Sequence, residues 1–258
     1  MAATKDVVRI AAVGDIHCTK TSQGELQPLF TQISETADVL LLCGDLTDYG
    51  QAEEAEVLLQ ELKALTIPTV AVLGNHDYEC GKVDELKHIL LDAGIKLLDG
   101  EACEIAGIGF AGVKGFGGGF GARALGAWGE NAIKKFVHEA VEEALKLEAA
   151  LAKLETDHRI AVLHYSPIQE TVEGEPLDIY PFLGSSRLEE PLTRYSVTAA
   201  FHGHAHHGHL EGRTSSNIPV YNVAMPLMKK AFPEQPYRLL EIPMTDTPKE
   251  SLRDRTYA

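Results

Sequence analysis

The chain is predicted to be an α/β protein, and three observations predict it. Short apolar runs alternate with helical patterns through the first half of the sequence. The runs are apolar throughout rather than on every second residue, as in strands buried on both faces. Glycine-led polar motifs follow the runs, at the places where strands of an open α/β sheet end and ligands gather.

Taken in order, Val7–Val13 reads as a strand and Glu25–Glu35 as a helix. Val39–Cys43 and Gln51–Leu65 repeat the pair, as do Thr69–Leu73 and Lys82–Ala93. Pro68 precedes its strand, where a missing N–H costs little. Ala102–Ile105 and Ile108–Val113 are short strands separated by Gly107. The glycine-rich stretch Gly115–Gly121 lacks the spacing of a P-loop and reads as a mobile loop over a site. Apolar residues at helical spacing (Ile133, Phe136, Val137, Ala140, Val141, Ala144) predict one long helix, Ala132–Glu155. Ile160–Leu163 and Val197–Phe201 read as buried strands, with a Pro-containing loop, Ser166–Ser185, between them. Ser186 and Glu189 have the spacing of a capping box for a short helix. Pro219–Val223 and Tyr237–Ile242 read as late strands, and the residues from Pro243 as a loose tail. With no internal repeat and no linker, residues 1–258 read as a single domain.

Composition narrows the function. The 258 residues carry a formal net charge of −15, and Lys or Arg never run longer than a pair. Such a surface disfavours a nucleic-acid polymer as partner, and a phosphate site would need local positive charge, which metal ions supply. Cys18, Cys43, Cys80 and Cys103 form no C-x-x-C pair and read as reduced thiols, consistent with a cytoplasmic protein. No stretch reaches the roughly 20 apolar residues that span a membrane.

The chemistry lies in five blocks: Gly14-Asp15-Ile16-His17, Gly44-Asp45-Leu46-Thr47-Asp48, Gly74-Asn75-His76-Asp77, His164, and Gly203-His204-Ala205-His206. Their carboxylates, imidazoles and amide carbonyl suit Mn, Fe, Zn or Co, and hold too much imidazole for Mg or Ca. A lone Gly-Asp is usually a turn and a lone histidine a hydrogen-bonded one; the five blocks in order carry the signal.

In that order, D-x-H, G-D-x-x-D, G-N-H-D, H and G-H-x-H resemble the calcineurin-like metallophosphoesterase superfamily, over residues 14–206. The resemblance implies a four-layer fold, two mixed β-sheets forming a sandwich flanked by helices. It implies one metal on Asp15, His17 and His206, a second on Asn75, His164 and His204, and Asp45 bridging both. The ions would stand ~3.5–4 Å apart with a hydroxide between them. It also implies His76 as the acid for the leaving oxygen and Asp48 as the carboxylate orienting it. Tyr49 stands where the phosphoprotein-phosphatase branch carries a phosphate-binding arginine, which argues against that branch. The expectation is a phosphodiesterase on a small phosphoester substrate. A phosphomonoesterase, a DNA exonuclease and a non-catalytic scaffold of the same fold are the alternatives.

His202, His207 and His209 read as supporting or surface residues. Lys114, Arg123 and Arg187 have the charge to reach a phosphate and equally suit a solvated surface. Asn222 is a candidate substrate contact, and the length of the long helix leaves room for a homodimer contact.

Overall fold

The computed structural model describes residues 6–244. In chain order the strands are β1 Val7–Val13, β2 Val39–Cys43, β3 Thr69–Val72, β4 Lys96–Leu97, β5 Glu101–Ile105, β6 Ile108–Gly112, β7 His158–Val162, β8 Ala199–His202, β9 Glu211–Arg213, β10 Pro219–Asn222 and β11 Arg238–Pro243. The helices are α1 Gln27–Thr36, α2 Ala52–Leu62, α3 Val83–Asp92, α4 Asn131–Leu151, α5 Tyr180–Leu183, α6 Glu189–Arg194 and α7 Met225–Ala231.

One sheet has the order β11-β1-β2-β3-β4 and the other β5-β6-β7-β8-β10-β9. Both are mixed: β11 runs antiparallel to β1, and β5 and β9 run antiparallel to their neighbours. Alternation along each strand builds the layers. Ile10, Ala12, Leu41, Cys43, Val70 and Val72 face Ile108, Phe110, Ile160, Val162 and Phe201 across the sandwich. The intervening residues of β1 to β3 pack under α1, α2 and α3 against Phe30, Ile33, Leu58 and Leu86. Those of β6 to β8 pack under α4 and α6 against Leu147, Leu151, Leu188 and Leu192. This gives the four layers expected.

Several local expectations need correction. The long helix ends at Leu151 rather than Glu155. The Ser186–Glu189 capping box does not form: Ser185 is the cap, Ser186 Oγ accepts from Gly121 N–H, and Glu189 accepts from Ser215 N–H. The two-residue β4, the three-residue β9 and α7 carry too little pattern to be read from sequence. The expected tail lies outside the described residues except for its first two positions, and Pro243 there ends β11.

The start of α1 is capped by a distant residue. Its N-cap, Leu26, offers no side-chain acceptor. Instead the buried Glu61 of α2 accepts the N–H groups of Gly24, Leu26 and Gln27 at 2.7, 2.9 and 3.1 Å. Burial raises its pKa, but these three donors outweigh that and hold the carboxyl below the usual glutamate value.

Among the described residues, no helix is long and apolar enough to cross a membrane.

Candidate metal centre

The five blocks all leave the carboxyl ends of strands: β1, β2 and β3 in one sheet, β7 and β8 in the other. The sandwich therefore brings residues from both sheets to one edge. Four of the site residues pay a backbone cost there. Asp15, His17, Asp45 and His204 have φ of 55, 47, 49 and 68°, a region that side-chain-bearing residues seldom occupy. Hydrogen bonds hold them in place. Asp15 N–H donates to the Gly44 carbonyl at 2.9 Å and His17 N–H to the Asp45 carbonyl at 3.0 Å. His76 N–H donates to Asp45 Oδ1 at 2.9 Å, and His204 N–H to both Asp15 carboxylate oxygens.

Two motif glycines are required by closeness rather than by turning. A Cβ on Gly74 would stand 2.1 Å from Asp45 Oδ1, and one on Gly203 would stand 2.2 Å from Asp15 Oδ2. Each makes room for a carboxylate belonging to another block.

The seven expected ligand residues converge. Donor atoms of Asp15, His17 and His206 lie within 4.8 Å of one another, as do those of Asp45, His164 and His204. Asp45 sits between the groups: Oδ2 is 3.8 Å from His17 Nε2 and Oδ1 is 3.5 Å from His164 Nε2. Asn75 Oδ1 joins the second group, 2.9 Å from His164 Nε2. His206 Nε2 is 2.9 Å from Asp15 Oδ1.

The chemistry of this set fits cations. Both ring nitrogens of His17 are buried without a hydrogen-bond partner among the described residues. His164 Nδ1 donates to the Cys43 carbonyl, which can only accept, so Nε2 carries the lone pair. That lone pair faces two more acceptors, Asn75 Oδ1 and Asp45 Oδ1, an arrangement a shared cation reconciles. Burial holds His164 well below the usual histidine value. Burial and the neighbouring His164 push His204 down to about 3. Both imidazoles are then neutral near pH 7. Burial, with Asp15 and Asp77 adding charge repulsion, raises Asp45. Carboxylates crowded this way, with histidines as the basic groups beside them, suit a metal.

His76 is 4.5 Å from His17 ring to ring. Its Nδ1 donates to the main-chain carbonyl of Asp48 at 2.8 Å. The Asp48 carboxylate is farther, 4.0 Å, and stands 3.3 Å from His17 Nδ1. Asp48 thus contacts His76 through its backbone, where the carboxylate was expected.

Other candidates resolve into structural work. Asn222 is buried, donates to the Ala205 and Thr171 carbonyls and accepts from Ala224 N–H, so it braces the His204–His206 turn instead of facing a substrate. Buried His202 bonds Thr171 Oγ1 beneath the same turn, while His207 and His209 are exposed. Lys114 Nζ donates to the Gly115 carbonyl and lies 4.8 Å over the Phe116 ring. Arg187 donates to the Leu125 carbonyl. Arg123 is exposed in the following turn. The Gly115–Gly121 loop, expected to be mobile, is tied down: Gly115 N–H donates to buried Glu143, Gly118 N–H to the Pro181 carbonyl and Gly119 N–H to the Gly184 carbonyl.

Asp77 was overlooked, although it stands as the fourth residue of its block with no role assigned. It is fully buried and accepts from Leu46, Thr47 and Gly74 N–H and from the Thr47 hydroxyl. It therefore clamps the Asp45 turn to the Asn75 turn.

Residues 8–208 match the family described as calcineurin-like phosphoesterase. An uncharacterised protein of Methanocaldococcus jannaschii is 31% identical over 102 residues, covering 40% of this chain and 43% of that one. The match thus spans less than half the length of that relative. Among solved structures, the phosphopantetheinyl hydrolase of Mycobacterium tuberculosis superposes with a TM-score of 0.65 at 15% identity, covering 96% of this chain and 97% of that one. A putative 5'-nucleotidase of Staphylococcus aureus gives a TM-score of 0.51 at 14% identity, covering 84% of this chain and 48% of that one. By the family match and the clustered donors at its strand ends, this chain belongs to the calcineurin-like phosphoesterase family, the binuclear metal-dependent hydrolases of phosphate esters.

Proposed function

We propose that the protein hydrolyses a small phosphodiester, with Asp15, His17 and His206 holding one ion, Asn75, His164 and His204 the other, and Asp45 both. The observation that carries this reading is the position of Asp45, whose two oxygens face different histidines. When bound, the ions supply a water activated for in-line attack and neutralise the phosphate oxygens.

The chain's own residues do the rest. With Nδ1–H committed to the Asp48 carbonyl, His76 in its imidazolium form has Nε2–H left to protonate the departing ester oxygen, leaving the ring neutral. The Asp48 carboxylate, 3.3 Å from His17 Nδ1 without a hydrogen bond to it, adds negative charge beside that ring. Asp77 holds the Asp45 and Asn75 turns in register.

Charge favours the diester. A diester brings one negative charge to the site and a monoester up to two. Exposed Tyr49 replaces the arginine of the phosphoprotein-phosphatase branch, and Lys114 is turned into an aromatic cluster. The net charge of −15 adds no attraction for a dianion.

The test combines elemental analysis of manganese-loaded protein with rates on bis(p-nitrophenyl) phosphate and p-nitrophenyl phosphate, with and without chelator. Two ions per chain, chelator-sensitive turnover and preference for the diester are expected. One ion per chain, or preference for the monoester, overturns the reading.

A further inference from the structure

The segment that carries α5 exposes apolar side chains and meets the second ligand group at Phe182. Leu177, Ile179 and Phe182 are 76, 38 and 57% exposed. The Phe182 main-chain carbonyl accepts from His204 Nε2 at 3.1 Å. The exposed phenyl group therefore belongs to the residue that steadies a proposed ligand.

An aromatic circuit fixes it there. The His204 ring lies 4.4 Å from the Tyr165 ring, Tyr165 5.9 Å from Phe116, Phe116 4.8 Å from Phe136, and Phe136 6.0 Å from Phe182. The hydrogen bond from His204 to the Phe182 carbonyl closes the loop. Gly118 and Gly119 pin the adjoining loop to the same segment. Phe182 is thus an exposed phenyl group on a residue whose main chain holds His204 and whose ring is set against Phe136, and aromatic side chains at a site with few polar groups give apolar parts of a ligand a surface to pack on.

We infer, resting on the phosphoesterase reading above, that Phe182 is the contact surface for an aromatic or other planar apolar group carried on an ester oxygen of the substrate. The phosphate would sit on the ions, and such a group, two bonds from phosphorus through the ester oxygen, would lie against Phe182. Phe182 would then select among diesters by their substituents.

The test uses stable phosphodiester analogues and manganese-loaded protein. Binding of the monomethyl ester of benzylphosphonate, whose methylene stands in for the ester oxygen, is compared with that of the monomethyl ester of methylphosphonate by calorimetry, in wild type and Phe182→Ala. The substitution keeps the main-chain carbonyl that His204 uses, so metal content should stay equal, and elemental analysis checks this. Wild type should bind the benzyl probe about five- to tenfold more tightly, and Phe182→Ala should lose that preference. Equal affinity for both probes in wild type, or a preference that survives in Phe182→Ala, overturns the inference. Failure of the wild type to turn over any ester would count against the proposed function instead, because the probes report binding alone.

Discussion

Gly74 and Asp45 stand so close that a methyl group on Gly74 would lie 2.1 Å from Asp45 Oδ1 and 2.3 Å from the Asp45 backbone nitrogen. Rotating the carboxylate cannot relieve the second contact, so the whole Asp45 turn would have to move. Gly74→Ala is therefore expected to weaken metal binding by about 10- to 100-fold. It should cost about 1–3 kcal/mol of stability, the usual cost of overpacking. Metal titration and denaturant unfolding measure the two effects; unchanged metal affinity would count against this packing argument.

His76 should matter most where the leaving group is poor. Removing a general acid costs about 10²–10⁴-fold in rate. His76→Ala should show that loss on alkyl esters and a smaller one on p-nitrophenyl esters, whose leaving oxygen needs less help. Metal content should be retained. An equal loss on both ester classes would place His76 in binding rather than proton transfer.

Chelation should destabilise the fold through the same carboxylates. A ligand present at a hundredfold excess over its Kd adds about 2.7 kcal/mol to stability. Manganese should raise the unfolding midpoint of the wild type, and chelator should reverse the gain. Asp45→Asn should lose most of the gain, since it weakens a ligand facing both groups.

Glu61 should make stability depend on acid. Its folded pKa lies below the usual glutamate value of about 4.3. The stabilisation is therefore complete above that value and is lost as pH falls through the folded pKa. Glu61→Gln should cost about 1–2 kcal/mol near neutral pH. The gap from wild type should hold down to about pH 5 and narrow below about pH 4. Denaturant midpoints across that range measure it, and a gap that widens in acid would contradict the assignment.

Much of the fold was legible because its signals are local. Val39–Cys43 is apolar at every position, which marks a strand covered on both faces, and β2 has those bounds. The long helix was legible from its spacing, but its last turn was not. The apolar repeat continues to Leu154, but the backbone leaves the helix after Leu151, and Leu154 still packs into the core. Strand β4, with two residues, has no pattern to read and exists because it pairs with β3.

The sequence by itself determined which side chains could meet a cation. Their types, their glycine-led turns and their order after apolar runs are properties of neighbours along the chain. Tertiary structure decided which atoms face one another. Asp45 divides its oxygens between histidines 28 residues before it and 119 residues after it, as their numbering gives. His76 is held by a backbone carbonyl of Asp48, and Phe182 is tied to His204, because strand pairing and the face-to-face packing of the two sheets bring distant turns together. No local period encodes such contacts: they depend on where the strands end in space, and that is set by the burial of the whole sandwich.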